Sequence, residues 1–281
     1  RTLIGKIMST FRFHTAISIS LWLATLTGCA TTTAGGTVGA NRSQLMLISS
    51  EQLEQMATQG YSKLKSEAMQ QGALNKDPKL LQRVQAIARR IEPQTAVFAG
   101  MRPAGSGKSI VVDVIDSNEL NAFCMPGGKI MFYSGLINRL QLTDEEIAVV
   151  MGHEIAHALR EHSREQVSQA IAAQTVLDVG SALLGVGQNA TALAGIGYET
   201  FIATRFSRTD EAEADRIGLE LTARAGYNPH AGVTLWQKMI NANSGGQLPE
   251  FLSSHPADST RVRQIESLLP IVMPLYQATH R

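Results

Sequence analysis

Apolar residues return at threes and fours through most of this chain and at twos only briefly, so the pattern predicts a mostly helical protein with a small sheet. From Ser50 to about Gln71, Leu53, Met56, Ala57, Leu64 and Ala68 line one helical face. Asp77-Pro78 opens a second helix that carries Leu80, Leu81, Val84, Ile87 and Ile91. The β-branched run from Ile110 to Ile115 reads as a strand. Asn121 to Met125, the turn Pro126-Gly127-Gly128, and Lys129 to Tyr133 read as a hairpin. Thr143-Asp144-Glu145-Glu146 has the spacing of a capping box, and Ile147, Val150, Met151, Ala158 and Leu159 continue a helix from it. The class expected is α+β, with a small β-sheet or hairpin beside that helix.

The ends and one internal stretch follow different rules. Basic Arg12 precedes an apolar run from Thr15 to Thr27 that is too short to span a bilayer, as in a targeting segment. It closes on Leu26-Thr27-Gly28-Cys29, which resembles a bacterial lipobox. The expected organisation is therefore a lipoprotein signal peptide over 1–28, a lipid-anchored flexible tether over 29–45 beginning at Cys29, and a single domain over 46–281. The Thr- and Gly-rich composition of 30–40 suggests the tether. Ala30 follows that cysteine, where an aspartate would resemble the inner-membrane retention signal, so the resemblance to bacterial lipoproteins implies the outer membrane, facing the periplasm. Residues 166–204 are rich in Ala and Gly and are expected to form small-residue helices acting as a lid.

Composition narrows the partners. With 281 residues, 44% of them hydrophobic, the chain can bury one substantial core. Its formal charge is +1, but Arg1, Lys6 and Arg12 precede residue 29 with no acid beside them, leaving 22 basic against 24 acidic side chains. Nucleic acid is not an expected partner. Cys124 is the only cysteine besides Cys29 and lies in an apolar run, where it reads as a small packed hydrophobe.

The chemistry is concentrated in His153-Glu154-Ile155-Ala156-His157. Residues four apart lie within about 40° of each other around a helix, so both imidazoles face one side and can share a metal ion. Glu154, beside them without being a ligand, is placed to take a proton from water, the H-E-x-x-H arrangement of zinc peptidases. A catalytic zinc needs a third protein ligand. His162 lies nine residues after His153, about 180° round the same helix, and is not expected to supply it. Glu211-Ala212-Glu213-Ala214-Asp215 places Glu211 and Asp215 on one helical side, with Glu213 pointing away.

Together, H-E-x-x-H and E-x-x-x-D resemble the gluzincin peptidases of the HtpX and CaaX-prenyl-protease family. The resemblance implies one Zn²⁺ held by His153, His157 and Glu211, with Asp215 orienting a histidine ligand. Asn121-Ala122-Phe123, Gly127-Gly128-Lys129-Ile130 and Tyr133-Ser134-Gly135-Leu136 resemble the strand and turn ahead of the zinc helix in the periplasmic lipoproteins of that family. Ser254-His255-Pro256 and Arg261 resemble a further motif of the same group. His255 would then be a fourth, displaceable ligand or a donor to the developing oxyanion; Arg261 would stabilise negative charge or pair with a carboxylate.

The function expected is an envelope endopeptidase cleaving misfolded or unassembled proteins, with contact to the outer-membrane assembly machinery. Lys129, Ile130, Met131, Phe132 and Tyr133 are expected to offer an edge to which an extended substrate adds as a strand. The rival is a chaperone or assembly factor for outer-membrane proteins in which zinc mainly holds the fold.

Overall fold

The computed structural model describes residues 29–98, 110–183, 205–243, 250–256 and 259–281, with side chains of the helix His162–Leu183 given as far as residue 175. The signal-peptide segment and the second half of the expected lid lie outside the described residues.

A three-stranded sheet separates two apolar layers. Its strands are β3 (Val111–Ile115), β4 (Ala122–Met125) and β5 (Lys129–Tyr133), in the order β3-β5-β4. β5 runs parallel to β3 and antiparallel to β4. Both faces are covered, so the strands read as continuous apolar runs with no polar alternation. One face sends Val112, Val114, Ala122, Cys124, Ile130 and Phe132 into the main core. The other sends Ile115, Phe123, Met125, Met131 and Tyr133 against helix α1 (Ser50–Gln70). Asp113 is buried on the α1 side, where Tyr61, Asn75 and Lys65 satisfy its carboxylate.

The helices under the other face are α2 (Pro78–Ile91), α4 (Asp144–Leu159), α6 (Arg208–Arg224), α7 (Ala231–Asn243) and α9 (Ser259–Ala278). The capping box read at Thr143 is formed, with Glu146 N–H donating to Thr143 Oγ1 and Thr143 N–H donating back to Glu146 Oε2. The short helices α3 (Ser134–Arg139) and α8 (Glu250–Ser254) complete the frame. Helix α5 (His162–Leu183) begins where the lid was expected. Among the described residues no helix is long and apolar enough to cross a membrane.

The stretch expected to be a free tether is instead packed on the domain. Val38 and Ala40 join the main core, and β1 (Cys29–Ala30) pairs antiparallel with β2 (Gln44–Leu45). Small polar residues suggested slack, but their backbone groups find buried partners. Glu220, fully buried, accepts from the N–H groups of Thr37 at 3.2 Å and Val38 at 3.0 Å and from Arg224 at 2.8 Å. Glu220→Ala would strand these donors and weaken the strap by about 2 kcal/mol. Trypsin should then cut after Arg42 faster in the folded protein, and an unchanged rate would show that the strap is held elsewhere.

Candidate metal centre

Helices α4 and α6 cross with unusually little between them. A Cβ on Gly152 would stand 2.6 Å from the carbonyl oxygen of Gly218, and one on Gly218 would stand 2.7 Å from the backbone nitrogen of His153. Only glycine at both positions allows this approach. It brings the acidic first turns of α6 alongside the two histidines of α4.

The result is a buried cluster in which His153, His157, Glu211 and His255 each offer a ligand atom within 4.8 Å of the others. His157 Nε2 lies 3.1 Å from His153 Nε2 and 3.4 Å from Glu211 Oε1. His255, just past α8, places Nδ1 at 3.2 Å from His153 Nε2 and 2.9 Å from Glu211 Oε1. Asp215 Oδ1 stands 3.0 Å from His153 Nδ1, on the far side of the ring from the cluster. Glu154 is buried with Oε2 accepting from Cys124 N–H at 3.0 Å. Its Oε1 makes no hydrogen bond, with His255 Nε2 at 3.3 Å.

The donor set fits zinc. Nε2 of His153 and His157 stand 3.1 Å apart and Glu211 Oε1 lies 3.4 Å from His157 Nε2, so imidazole nitrogens and a carboxylate oxygen, the donor types zinc takes, converge on one buried point. Burial lowers the pKa of His153 and pushes that of His157 well down, so both offer lone pairs at neutral pH. Burial raises Glu211, but Arg261 and His255 outweigh it and hold the carboxylate well below its ordinary range. Burial lifts Glu154 to about 7. His255 is depressed by burial yet raised overall by Glu211 and Glu154.

Arg261 resolves the choice left open by the sequence. Its Nε and Nη2 each lie 2.8 Å from Asp215, its Nη1 lies 2.6 Å from Glu211 Oε2, and its guanidinium stacks 3.5 Å over the Trp236 ring. It pairs with the carboxylates and is committed to them, so it is not disposed to meet an oxyanion.

Three other expectations change. β5 is the central strand, so Lys129 to Tyr133 cannot receive a substrate strand: both of its sides are already paired, by β3 and β4. Among the described residues β4 is an edge strand paired only with β5, and its Cys124 N–H turns away from β5 to Glu154. Cys124 itself is buried, and burial pushes its thiol pKa up, as suits a packed hydrophobe. His162 is not on the zinc helix, because the chain turns at Arg160 and Glu161, the latter with φ 51°, before α5 begins. The turn carries the His162 ring back to 2.8 Å from His157 Nδ1, outside the ligand set but touching it. Glu213 does point away from the ligands, but it is buried against His162, Arg160 and Arg42 and is not solvated. A long apolar pattern gives no signal for such contacts; the non-glycine turn that creates them is equally silent.

Paired histidines on α4, a carboxylate of α6 within reach of the same cation, and a buried glutamate with one oxygen that makes no hydrogen bond mark a gluzincin-type metal centre. The chain belongs to peptidase family M48, whose family model matches residues 81–269. It is 37% identical over 175 residues to bovine mitochondrial metalloendopeptidase OMA1, covering 57% of this chain and 32% of that one. It is 27% identical over 254 residues to the metalloprotease LoiP of Escherichia coli K12, covering 89% of this chain and 94% of LoiP. To the beta-barrel assembly-enhancing protease of the same bacterium it is 30% identical over 176 residues, 58% of this chain and 36% of that protein. The chain thus spans about a third of bovine OMA1 but nearly all of LoiP.

Proposed function

We propose that the protein is a zinc-dependent endopeptidase of the bacterial envelope, anchored through Cys29 and acting on misfolded or unassembled proteins. The observation that carries the activity is Glu154: a buried carboxylate with one oxygen held by Cys124 N–H and the other unbonded beside the ligand cluster. When bound by His153, His157 and Glu211, zinc supplies Lewis acidity, polarising the scissile carbonyl and acidifying water. Glu154, lifted to about 7 by burial, takes the proton from water and returns it to the leaving amine. Asp215 accepts from His153 Nδ1–H and so fixes that ring's tautomer. His255 Nε2, 3.3 Å from Glu154 Oε1, is positioned to donate to charge developing on the substrate. An extended substrate adds along the side of β4 not paired with β5, where the outward Cys124 N–H is already held by Glu154. Main-chain pairing recognises unfolded polypeptide with little regard for side chains.

Support for the envelope comes from the lipobox-like Leu26 to Cys29 and from similarity along nearly the whole of LoiP. The test uses the purified chain and a reduced, unfolded protein as substrate. Zinc-loaded protein should cleave it, chelation should abolish cleavage and remove about 4 kcal/mol of stability when zinc stands a thousandfold over its Kd, and added zinc should restore both. Cleavage that survives complete zinc removal rejects the reading. The name of the assembly-enhancing relative favours a second role in outer-membrane assembly. Rescue of an envelope defect by Glu154→Gln protein would assign that role to binding, and loss of rescue would assign it to proteolysis.

A further inference from the structure

The two ligand histidines are oriented by different means. With Nε2 of each turned to the metal, each Nδ1 must carry its hydrogen and find an acceptor. His153 gives its hydrogen straight to Asp215 Oδ1, 3.0 Å away. His157 has no carboxylate at that distance from Nδ1; what it meets is Nδ1 of His162 at 2.8 Å. Only one of two facing nitrogens can hold the hydrogen, so His162 Nδ1 must accept and its Nε2 must carry the hydrogen. That Nε2 faces Glu213 Oε2 at 3.1 Å. The chain of donors and acceptors therefore has one consistent assignment and ends on a carboxylate, as the shorter path from His153 does.

Glu213 is itself fixed from two directions. Arg160, fully buried, reaches Oε1 and Oε2 at 3.2 and 3.3 Å. Arg42 reaches Oε1 and Oε2 at 3.3 and 3.2 Å, while its Nη1 holds Glu165 at 2.6 Å. Arg42 belongs to the strap, not to the helical core. A second metal among His162, Asp210 and Glu213 is excluded by charge, although their ligand atoms lie within 4.8 Å of one another. The guanidinium of Arg42 already stands 3.0 Å from Asp210 Oδ1 and occupies the cation's place.

We propose that His162 and Glu213 are positioning residues for the metal ligand His157, and that Arg42 ties the N-terminal strap into this relay so that docking of the strap helps retain the metal. The glutamate that spacing turned away from the zinc thus serves it at second hand. Burial of the relay keeps water from replacing its bonds, so removing a member leaves His157 Nδ1 without the acceptor that fixes its tautomer. This rests on the metal site but not on peptide cleavage.

The experiment follows zinc release from the full chain into a chromophoric chelator, together with the visible spectrum of the cobalt-substituted protein. His162→Leu should release zinc about 10–100-fold faster than wild type and shift the cobalt bands. His162→Asn, which keeps an acceptor toward His157 but falls short of Glu213, should recover part of the loss. Arg42→Gln should release zinc faster than wild type by a smaller factor, at an apoprotein melting temperature that separates the effect from global destabilisation. Wild-type release rates and cobalt spectra in folded His162→Leu and Arg42→Gln proteins would overturn the proposal and leave the network a purely structural one. Should His162→Leu fail to fold, wild-type release from both His162→Asn and Arg42→Gln would overturn it equally. A wild-type chain that bound no zinc would overturn the site itself, a failure read independently of any protease assay.

Discussion

Glu154→Gln is expected to lower kcat/KM for cleavage of an unfolded protein by about a thousandfold, within the range that loss of a general base produces, while the zinc content stays at one per chain. The amide matches the carboxylate in shape, so Cys124 N–H keeps an oxygen to donate to, and the fold around a residue only 1% exposed is retained. What is lost is the ability to hold a proton. Zinc is expected to stay because the proposed ligands His153, His157 and Glu211 make no hydrogen bond to Glu154. Metal analysis beside a cleavage assay separates the two roles: a variant that loses its zinc would make Glu154 a ligand, and one that cleaves at the wild-type rate would remove it from the chemistry.

The place of Glu154 beside the two histidines was legible in the sequence because it is set locally. One helix and its cap set the directions of His153, Glu154 and His157, and the period of 3.6 is enough to place them. Glu211 and Asp215 were legible for the same reason, being four apart on α6. What joins α4 to α6 is also in the sequence, as Gly152 and Gly218, but a single glycine inside a helical pattern does not say what it must approach. His162 was placed wrongly because the reading assumed one continuous helix. Glu161 in a left-handed conformation ends that helix without the glycine that normally signals such a turn.

The sheet and the strap failed for a different reason, distance along the chain. A hairpin fixes that β4 and β5 pair, but not which of them is the edge; that depends on β3 arriving parallel beside β5. The strap is held by partners more than 100 residues away, among them Glu165, Glu213 and Glu220. Its composition is that of a linker, and these buried carboxylates, with Val38 and Ala40 in the core, make it structure. Cys29 stands exposed in β1, which is paired with β2. An anchor there would hold the domain close to the lipid surface with little slack.

Gly218→Ala is expected to damage the metal centre from behind. Its Cβ would fall 2.7 Å from the nitrogen and 2.9 Å from the Cα of His153, and 2.9 Å from the carbonyl carbon of Gly152. These are backbone atoms inside a helix, so no side-chain rotation can relieve the contact. The helices must part or tilt, at a cost of about 3 kcal/mol, the upper range for overpacking in a close-packed interior. Separation carries Glu211 and Asp215 away from His153 and His157 together, since each pair is rigid on its own helix. Zinc–ligand distances fall within about 0.2 Å of their ordinary values, so moving one ligand pair off the other should weaken zinc binding by more than the loss of global stability predicts. Thermal melting of the metal-free protein reads the packing cost, and competition against a chelator reads the affinity. A variant that melts lower but binds zinc as tightly as wild type would show that the two helices relax without moving the ligands, and that the glycine pair serves packing alone.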